Sequence, residues 1–325
     1  MPTLTGISIF PVKSCHSVEI QECDVDALGL LHDRRFMFID AETNRFITQS
    51  FQTLVNLLYS PQQRKYASMT LIRPTINLAA GTLDFSGPSV DPISVPLQPD
   101  ISSAPKLRVR IWNDIVDAYD MGDAAAGWVI AFFAAHASHD GANLLDDEAV
   151  EVVRPREIRL VRVVDIAKGY TRPAHPKIPG VHTPFSDASP VSFGYEASMV
   201  ELNRILEEPE ANGVKIPINR FRNNLTIAGT EPWEEDQWLV IRIGVVTFYV
   251  VCPIDRCIVP GIDQETGLKD SWGFPGPLGV LKQHRALPDK PGAGFFCSHV
   301  IPLTSGKVKI GDEVEVLERI PSKNT

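Results

Sequence analysis

Residues 245–267 constrain this chain more than any other stretch. Val245-Val246-Thr247-Phe248-Tyr249-Val250-Val251 is apolar and β-branched, the composition of a buried strand. Pro253 is expected to break that strand, because proline cannot donate to a ladder. Asp255-Arg256-Cys257 follows, and the chain turns again at Pro260-Gly261. A thiol in a strand-end loop beside a fixed guanidinium is expected to ionise readily. Thiolates, not thiols, attack electrophiles and bind soft metals. A plainer reading stands beside this one: a lone cysteine after a strand is more often an inert small hydrophobe. Four residues separate Cys252 from Cys257, not the two of a zinc knuckle, and no second cysteine pair or close histidine pair completes a tetrahedral site. A structural zinc is not expected.

At 325 residues the chain has room for two domains, or for one large domain with an insertion. Its net charge of -9 argues against nucleic-acid binding, which wants a basic face. Any anion site must be a local basic pocket in an acidic protein. The odd count of 5 cysteines, scattered along the chain, suggests reduced thiols. No leader pattern precedes the first strand pattern at 4–10, and no apolar run reaches the ~18 residues of a membrane span. A soluble, cytoplasmic protein is expected.

The first hundred residues read as β-rich, with strands expected at 4–10, 18–25 and 35–40 and short strands among the prolines and glycines of 73–105. Residues 106–112 and 116–119 form an expected hairpin about Asn113-Asp114, and Asp123 is placed to cap a helix running to about residue 135. Asp146-Asp147-Glu148 marks a surface loop, followed by a strand at 158–164. A long loop spans 169–184, of the kind that is usually functional or mobile. Phe185-Ser186-Asp187-Ala188-Ser189-Pro190 leads into a helix with Met199, Leu202, Ile205 and Leu206 on one face. Strands at 224–228, 238–243 and 245–251 follow. The tail places two short strands about Gly311-Asp312, as in small closed barrels.

Four basic residues fall in loops beside strands: Lys13, Arg34, Arg222 and Arg256. Taken singly each is a solvated surface charge, but their neighbours argue for more. Lys13-Ser14 pairs an ammonium with a hydroxyl, and Arg222-Asn223-Asn224 pairs a bidentate donor with amides. Ser186 and Ser189 offer hydroxyls in a loop ahead of a helix, whose free N–H groups suit an anion. Together these residues suit a phosphorylated, heteroatom-rich cofactor beside Cys257, although spacing does not show that they converge. Dinucleotide, phosphate-loop and nucleophile-elbow motifs are absent. His284 or His299 would have to supply a Cys–His pair from a distance, so a metal-free thiol enzyme stays open.

Five ordered motifs carry a family resemblance: Phe10-Pro11-Val12-Lys13-Ser14-Cys15, Asp33-Arg34-Arg35-Phe36-Met37, Phe185 to Pro190, Asn219-Arg220-Phe221-Arg222-Asn223-Asn224, and Asp255-Arg256-Cys257 through Asp263-Gln264-Glu265-Thr266-Gly267. Over nearly its whole length the chain resembles proteins that join a MOSC domain to an N-terminal β-barrel domain, as in the mitochondrial amidoxime-reducing component and the C-terminal part of molybdenum cofactor sulfurase. The resemblance implies a mixed, mainly β fold with some α. It implies a MOSC N-terminal β-barrel domain at 1–120, a helix and acidic connecting insertion at 121–168, and a MOSC β-barrel domain with peripheral helices at 169–320. It further implies a molybdenum cofactor (Mo-molybdopterin), with Cys257 as catalytic residue and molybdenum ligand. Lys13, Ser14, Arg34, Ser189, Arg222, Asn224 and Arg256 are the implied cofactor-binding residues.

The implied reaction is reduction of N-hydroxylated compounds such as amidoximes, hydroxylamines or N-hydroxylated bases. Electrons are expected from separate proteins, a cytochrome b5 with its reductase or a ferredoxin-type carrier, since no cysteine run marks an iron–sulfur domain. The alternative is a cofactor-binding or sulfur-carrier protein that uses Cys257 as a persulfide relay. A whole sulfurase is not expected, because no cysteine desulfurase domain is present. Pyridoxal phosphate binding is associated with the family at large. Three departures stand out: Thr48-Gln49-Ser50-Phe51-Gln52-Thr53 where an Arg-Gln-x-Pro type sequence is usual, Asn223 in place of a proline, and Asp255 in place of a small hydroxyl. They are expected to tune substrate choice or potential more than cofactor binding. Cys15, Cys23, Cys252 and Cys297 read as structural.

Overall fold

A computed structural model describes residues 1–49, 66–100, 102–142, 157–163, 171–174, 178–208, 215–270 and 276–320. The acidic run at 146–148 and the departures at 50–53 lie outside the described residues. In chain order, β1 (Thr3–Ile9), β2 (Val18–Glu19), β3 (Glu22–Asp26) and β4 (Gly29–Leu30) come first, then β5 (Phe36–Asp40) and β6 (Arg45–Phe46). β7 (Arg73–Asn77), β8 (Thr82–Gly87) and β9 (Val90–Pro96) form a meander, and β10 (Lys106–Ile111) and β11 (Asp114–Asp120) a hairpin. Helices α1 (Asp123–Ala135) and α2 (Ala137–Ala142) precede β12 (Ile158–Val163). The ribbon β13 (Arg172–Pro173) and β14 (His182–Thr183) is followed by β15 (Val191–Tyr195), α3 (Glu196–Leu206), β16 (Leu225–Ala228) and β17 (Trp238–Ile243). The chain finishes with β18 (Val246–Asp255), α4 (Gly276–His284), β19 (Phe295–Pro302), β20 (Gly306–Lys309) and β21 (Val314–Arg319).

Strands β10, β11, β12, β5 and β6 close into a barrel. Period-two alternation builds it. Met37, Ile39, Val109, Ile111, Val161 and Val163 share one core cluster. Phe36, Phe38, Ile158 and Leu160, from the opposite faces of the same strands, pack with Val129 and Phe132 of α1. Within 121–168, the described α1 and β12 thus supply the helix over the barrel and one of its strands.

A second sheet, ordered β2-β1-β16-β15-β19-β18-β17-β21, curls around Leu4, Ile7, Phe193, Leu225, Trp238 and Phe248. β1 pairs antiparallel with β16, so the first strand in sequence belongs to the C-terminal sheet. Its exit loop then crosses to the barrel, where Val12 bridges Phe36. The architecture is the mixed, mainly β one expected, and no helix among the described residues is long and apolar enough to cross a membrane.

Four local expectations need correction. β18 runs through Pro253 to Asp255, because its register against β19 shifts between Val250 and Cys252 and again between Pro253 and Asp255; irregularities of this kind accommodate the missing N–H. The two tail strands do not pair with each other: β20 joins β3 and β21 joins β17. Asp123 does not cap α1; Gly122 occupies that position, and the Asp123 carboxylate accepts from Arg159 at 2.7 Å. The serine loop at 185–190 enters β15 rather than a helix, since α3 begins at Glu196.

Near α3 a buried carboxyl is held in place. Ser198 Oγ donates to Glu235 at 2.7 Å and accepts the Trp233 N–H at 2.9 Å. Burial pushes Glu235 up to about 7, with the Ser198 hydrogen bond opposing. The folded protein therefore holds this proton more tightly than the unfolded chain does. The sign follows: this group's contribution to stability is largest below the unfolded value and declines as pH rises from ~4.5 to ~7, by about 3 kcal/mol in all. Glu235→Gln is expected to flatten that part of the stability–pH curve in urea denaturation. An unchanged slope would mean that the carboxyl is ionised in the fold.

Candidate functional site

A cavity of about 250 Å³ opens where the β1 exit loop, the barrel and the curled sheet meet. Lys13, Ser14, Arg34, Ser189, Arg222, Asn224, Arg256 and Cys257 all line it. Gln49, Trp112, Ser186, Asp187, Asp255 and His299 line it too. The residues singled out in the sequence therefore converge, which their spacing could not reveal.

The backbone is bent to bring them there. Ser14 (φ 68°), Arg34 (φ 48°), Trp112 (φ 53°) and Arg222 (φ 53°) are non-glycine residues in the left-handed region. Each costs about 1 kcal/mol or more and persists only where its surroundings over-determine it. Here they do. The Ser14 carbonyl accepts from Gln49 Nε2, the Arg34 N–H bonds Phe10 O at 2.7 Å, and the Arg222 N–H bonds Asn219 O at 2.9 Å. The fully buried Asp33 accepts the Phe10 N–H at 2.8 Å and Arg34 Nη1 at 2.5 Å. Arg34 and Arg222 both lie over the Phe10 ring, with guanidinium carbons 4.5 and 4.3 Å from its centroid.

The cations fall into two groups. Lys13 is buried against Asp187 (2.5 Å) and the Phe185 carbonyl (2.9 Å), and burial lowers its pKa. The Asp187 side chain is largely exposed, so the desolvation that opposes its ionisation is partial, and Lys13 and the Trp112 Nε1 donor at 3.0 Å outweigh it and hold the carboxyl well below the usual range. Arg222 and Arg256, by contrast, meet neutral oxygens. Arg222 donates to Gln264 Oε1 and the Cys15 carbonyl, each at 2.8 Å. Burial, then the nearby Arg34, push Arg222 down to about 10, still charged at neutral pH. Arg256 donates to the carbonyls of Phe296 (2.7 Å) and Phe221 (3.1 Å). Among the described residues, neither has a carboxylate in ion-pair range.

This geometry corrects the expectation for Cys257. Burial raises its thiol pKa, and the Val259 N–H and Arg256 offset that only in part. Sequence neighbours need not be electrostatic partners: Arg256 reaches across to the carbonyls of other segments. The sulfur is a thiol at neutral pH, half-buried at the cavity wall.

Two of the expected ligand contacts are already committed. Asn224 Oδ1 accepts from the Ser192 N–H and hydroxyl, both at 3.1 Å, and its Nδ2 donates to Ser8 O at 3.2 Å. Ser189 Oγ donates to Val191 O at 2.8 Å and sits 2.8 Å from His299 Nδ1. Asn223 does not line the cavity; its amide fills the space a Cβ on Gly194 would need, 2.6 Å away, and bonds Thr226 Oγ1 at 2.9 Å. His284 is likewise absent from the cavity wall.

Free capacity lies elsewhere. Ser186 Oγ, Gln49 Oε1 and Arg256 Nη2 are buried, line the cavity and have no partner among the described residues, and such atoms call for an explanation. Sequence reasoning also missed Arg172. It is almost fully buried, bonds Asp114 at 2.9 Å and holds the carbonyls of Ser186 and Asp187. Phe185 plugs into the barrel core beside it, so this loop is pinned at both levels. Its place in a long Pro- and Gly-rich segment was the one available signal.

Two family models match the chain. Residues 1–136 match the MOSC N-terminal beta barrel domain and residues 181–315 match the MOSC domain. Mitochondrial amidoxime-reducing component 1 of Mus musculus is 27% identical over 325 residues, 97% of this chain and 82% of that protein. Molybdenum cofactor sulfurase of Danio rerio is 27% identical over 315 residues, 91% of this chain but 32% of that protein. The chain thus spans about a third of the sulfurase's length. The crystal structure of the YUAD protein from Bacillus subtilis aligns over 97% of this chain and 95% of its own, at 10% identity and a TM-score of 0.35.

Asp33→Asn is expected to destabilise the protein by about 2–4 kcal/mol, because an amide would place N–H groups against Arg34 and leave a largely buried guanidinium unpaired. Urea unfolding checks this. A loss under 1 kcal/mol would mean that Arg34 finds another partner.

Proposed function

We propose that this chain, which belongs to the family joining a MOSC N-terminal beta barrel domain to a MOSC domain, binds a molybdenum cofactor in the cavity and there reduces N-hydroxylated compounds. The observation that carries the reading is the pair Arg222 and Arg256, two guanidiniums that line the cavity with Cys257 and have no carboxylate in ion-pair range among the described residues. Holding unpaired cations half-buried costs solvation, and a site that keeps them is built for an anion brought from outside. Arg222 and the adjacent Arg34 suit a phosphate, whose oxygens accept forked donors.

The other cavity atoms fit the rest of such a group. Ser186 Oγ and Arg256 Nη2 are free donors and Gln49 Oε1 a free acceptor, a mixed set that matches a heterocycle rich in N and O. Cys257 would supply a soft ligand, as the thiolate, to the metal of such a group. No cluster of three or more His, Cys, Asp or Glu side chains stands ready for a metal among the described residues, so most ligands must arrive with the cofactor. When bound, that group supplies two-electron redox chemistry, and the protein binds and orients it. Net reduction of a hydroxylamine takes two electrons and two protons and releases water. The electrons come from a separate carrier, a cytochrome b5 with its reductase or a ferredoxin-type protein. A pyridoxal phosphate reading gains no support, since Lys13, the lysine on this wall, is tied to Asp187.

The test uses protein expressed with active molybdenum cofactor synthesis. Metal analysis of the wild type is expected to give near-stoichiometric molybdenum, with benzamidoxime reduced from an artificial electron donor. Cys257→Ala is expected to lose turnover, and Arg222→Met to lower cofactor content about tenfold, the loss of one charge-assisted contact. Molybdenum without turnover would favour the carrier alternative with Cys257 as a persulfide relay. A wild type without molybdenum would overturn both.

A further inference from the structure

His299 lies on β19, half-buried on the cavity wall, and nothing above gives it a task. Its hydrogen bonding leaves one tautomer. The Ser189 hydroxyl has a single proton, which goes to Val191 O at 2.8 Å. The 2.8 Å contact between Ser189 Oγ and His299 Nδ1 must then run from Nδ1–H to oxygen. A neutral imidazole with Nδ1–H carries a bare lone pair on Nε2, and Nε2 has no partner among the described residues. Burial, then the charge of Arg256, push this histidine down to about 4, with Asp187 opposing, so the ring stays neutral near pH 7.

The register relates His299 to the strand that leads to Cys257. His299 pairs with Cys252, five residues before Cys257 on the same chain, a path of at most roughly 16 Å. Imidazole and sulfur line one cavity, the ring from β19 and the sulfur from the loop after β18. A phosphate dianion has no proton to offer the histidine, whereas a ring N–H or amino group does. We infer that His299 is a hydrogen-bond acceptor for an N–H edge on the heterocyclic part of the bound cofactor, with Ser189 as the residue that positions it. The inference rests on the cofactor reading above and adds to it the orientation of the bound group: N–H edge toward β19, metal toward Cys257.

Three proteins test it, each expressed with active cofactor synthesis: wild type, His299→Phe, and His299→Gln, which can still donate to Ser189 and accept from a ligand. Cofactor retained through dialysis is measured as fluorescent oxidised pterin per protein. His299→Phe is expected to lose it about tenfold faster than wild type and His299→Gln within about threefold. Equal retention by wild type and His299→Phe would overturn the inference while leaving the cofactor reading intact; an unloaded wild type would overturn both. A second measurement covers a His299→Phe protein that fails to fold. In loaded wild type labelled with 15N-histidine, the ring is expected as the neutral Nδ1–H tautomer at pH 7. An imidazolium there would mark an anion site and sink the proposal.

Discussion

The antiparallel pairing of β1 with β16 is the constraint on which the rest of the structure depends. Leu4, Ile7 and Ile9 bury β1 in the core of the curled sheet, far along the chain from its sequence neighbours. The chain must then leave that sheet at Phe10 and enter the barrel at Val12 within two residues. That forced crossing lays the Phe10 ring between the two units. Arg34, just before a barrel strand, and Arg222, just before a strand of the curled sheet, both stack on it. The cavity is therefore a property of the junction, with walls that neither unit supplies alone.

An acidic protein keeps a cationic cavity by pairing its charges selectively. Asp33 and Asp187 neutralise Arg34 and Lys13, and each carboxylate also accepts a donor from a second segment: the Phe10 N–H for Asp33, the Trp112 indole for Asp187. These pairs fix loop shape. Arg222 and Arg256 are anchored by carbonyl and amide oxygens, which orient a guanidinium without cancelling its charge. Long-range repulsion from the net charge of -9 is screened over about 10 Å of saline, whereas a buried guanidinium is screened much less. Local arrangement thus decides what the cavity attracts.

Much of this was legible in the sequence, and the failures share a cause. Strands such as β5, β10 and β17 could be read because alternation is local, and the loop residues converged because five motifs in order specify one arrangement. What could not be read was which distant group each residue would meet. Pro253 looks like a strand breaker until the register shifts against β19 are seen. Arg256 looks like the activator of Cys257 until its guanidinium is found on the carbonyls of Phe221 and Phe296. Asn224 and Ser189 do line the cavity, but the sequence could not show that their side chains also bind Ser192, Ser8 and Val191. Arg172 carries no motif, and its role appears only once β13 brings it beneath the serine loop.

The four left-handed residues on the cavity wall tie these threads together. Nine non-glycine residues among those described have positive φ, and four of them, Ser14, Arg34, Trp112 and Arg222, face this one space. At about 1 kcal/mol or more each, their combined cost is a sizeable fraction of the 5–15 kcal/mol that holds a typical domain together. Glycine would remove that cost but also the hydroxyl, indole and guanidiniums that the positions carry. A chain that keeps side chains there, and adds Asp33, Asp187 and Gln49 to brace the loops behind them, trades stability for a wall whose polar groups are set before anything binds. Preorganisation of that kind is what an anion-binding cavity needs, because donors already in place lose little entropy when the anion arrives.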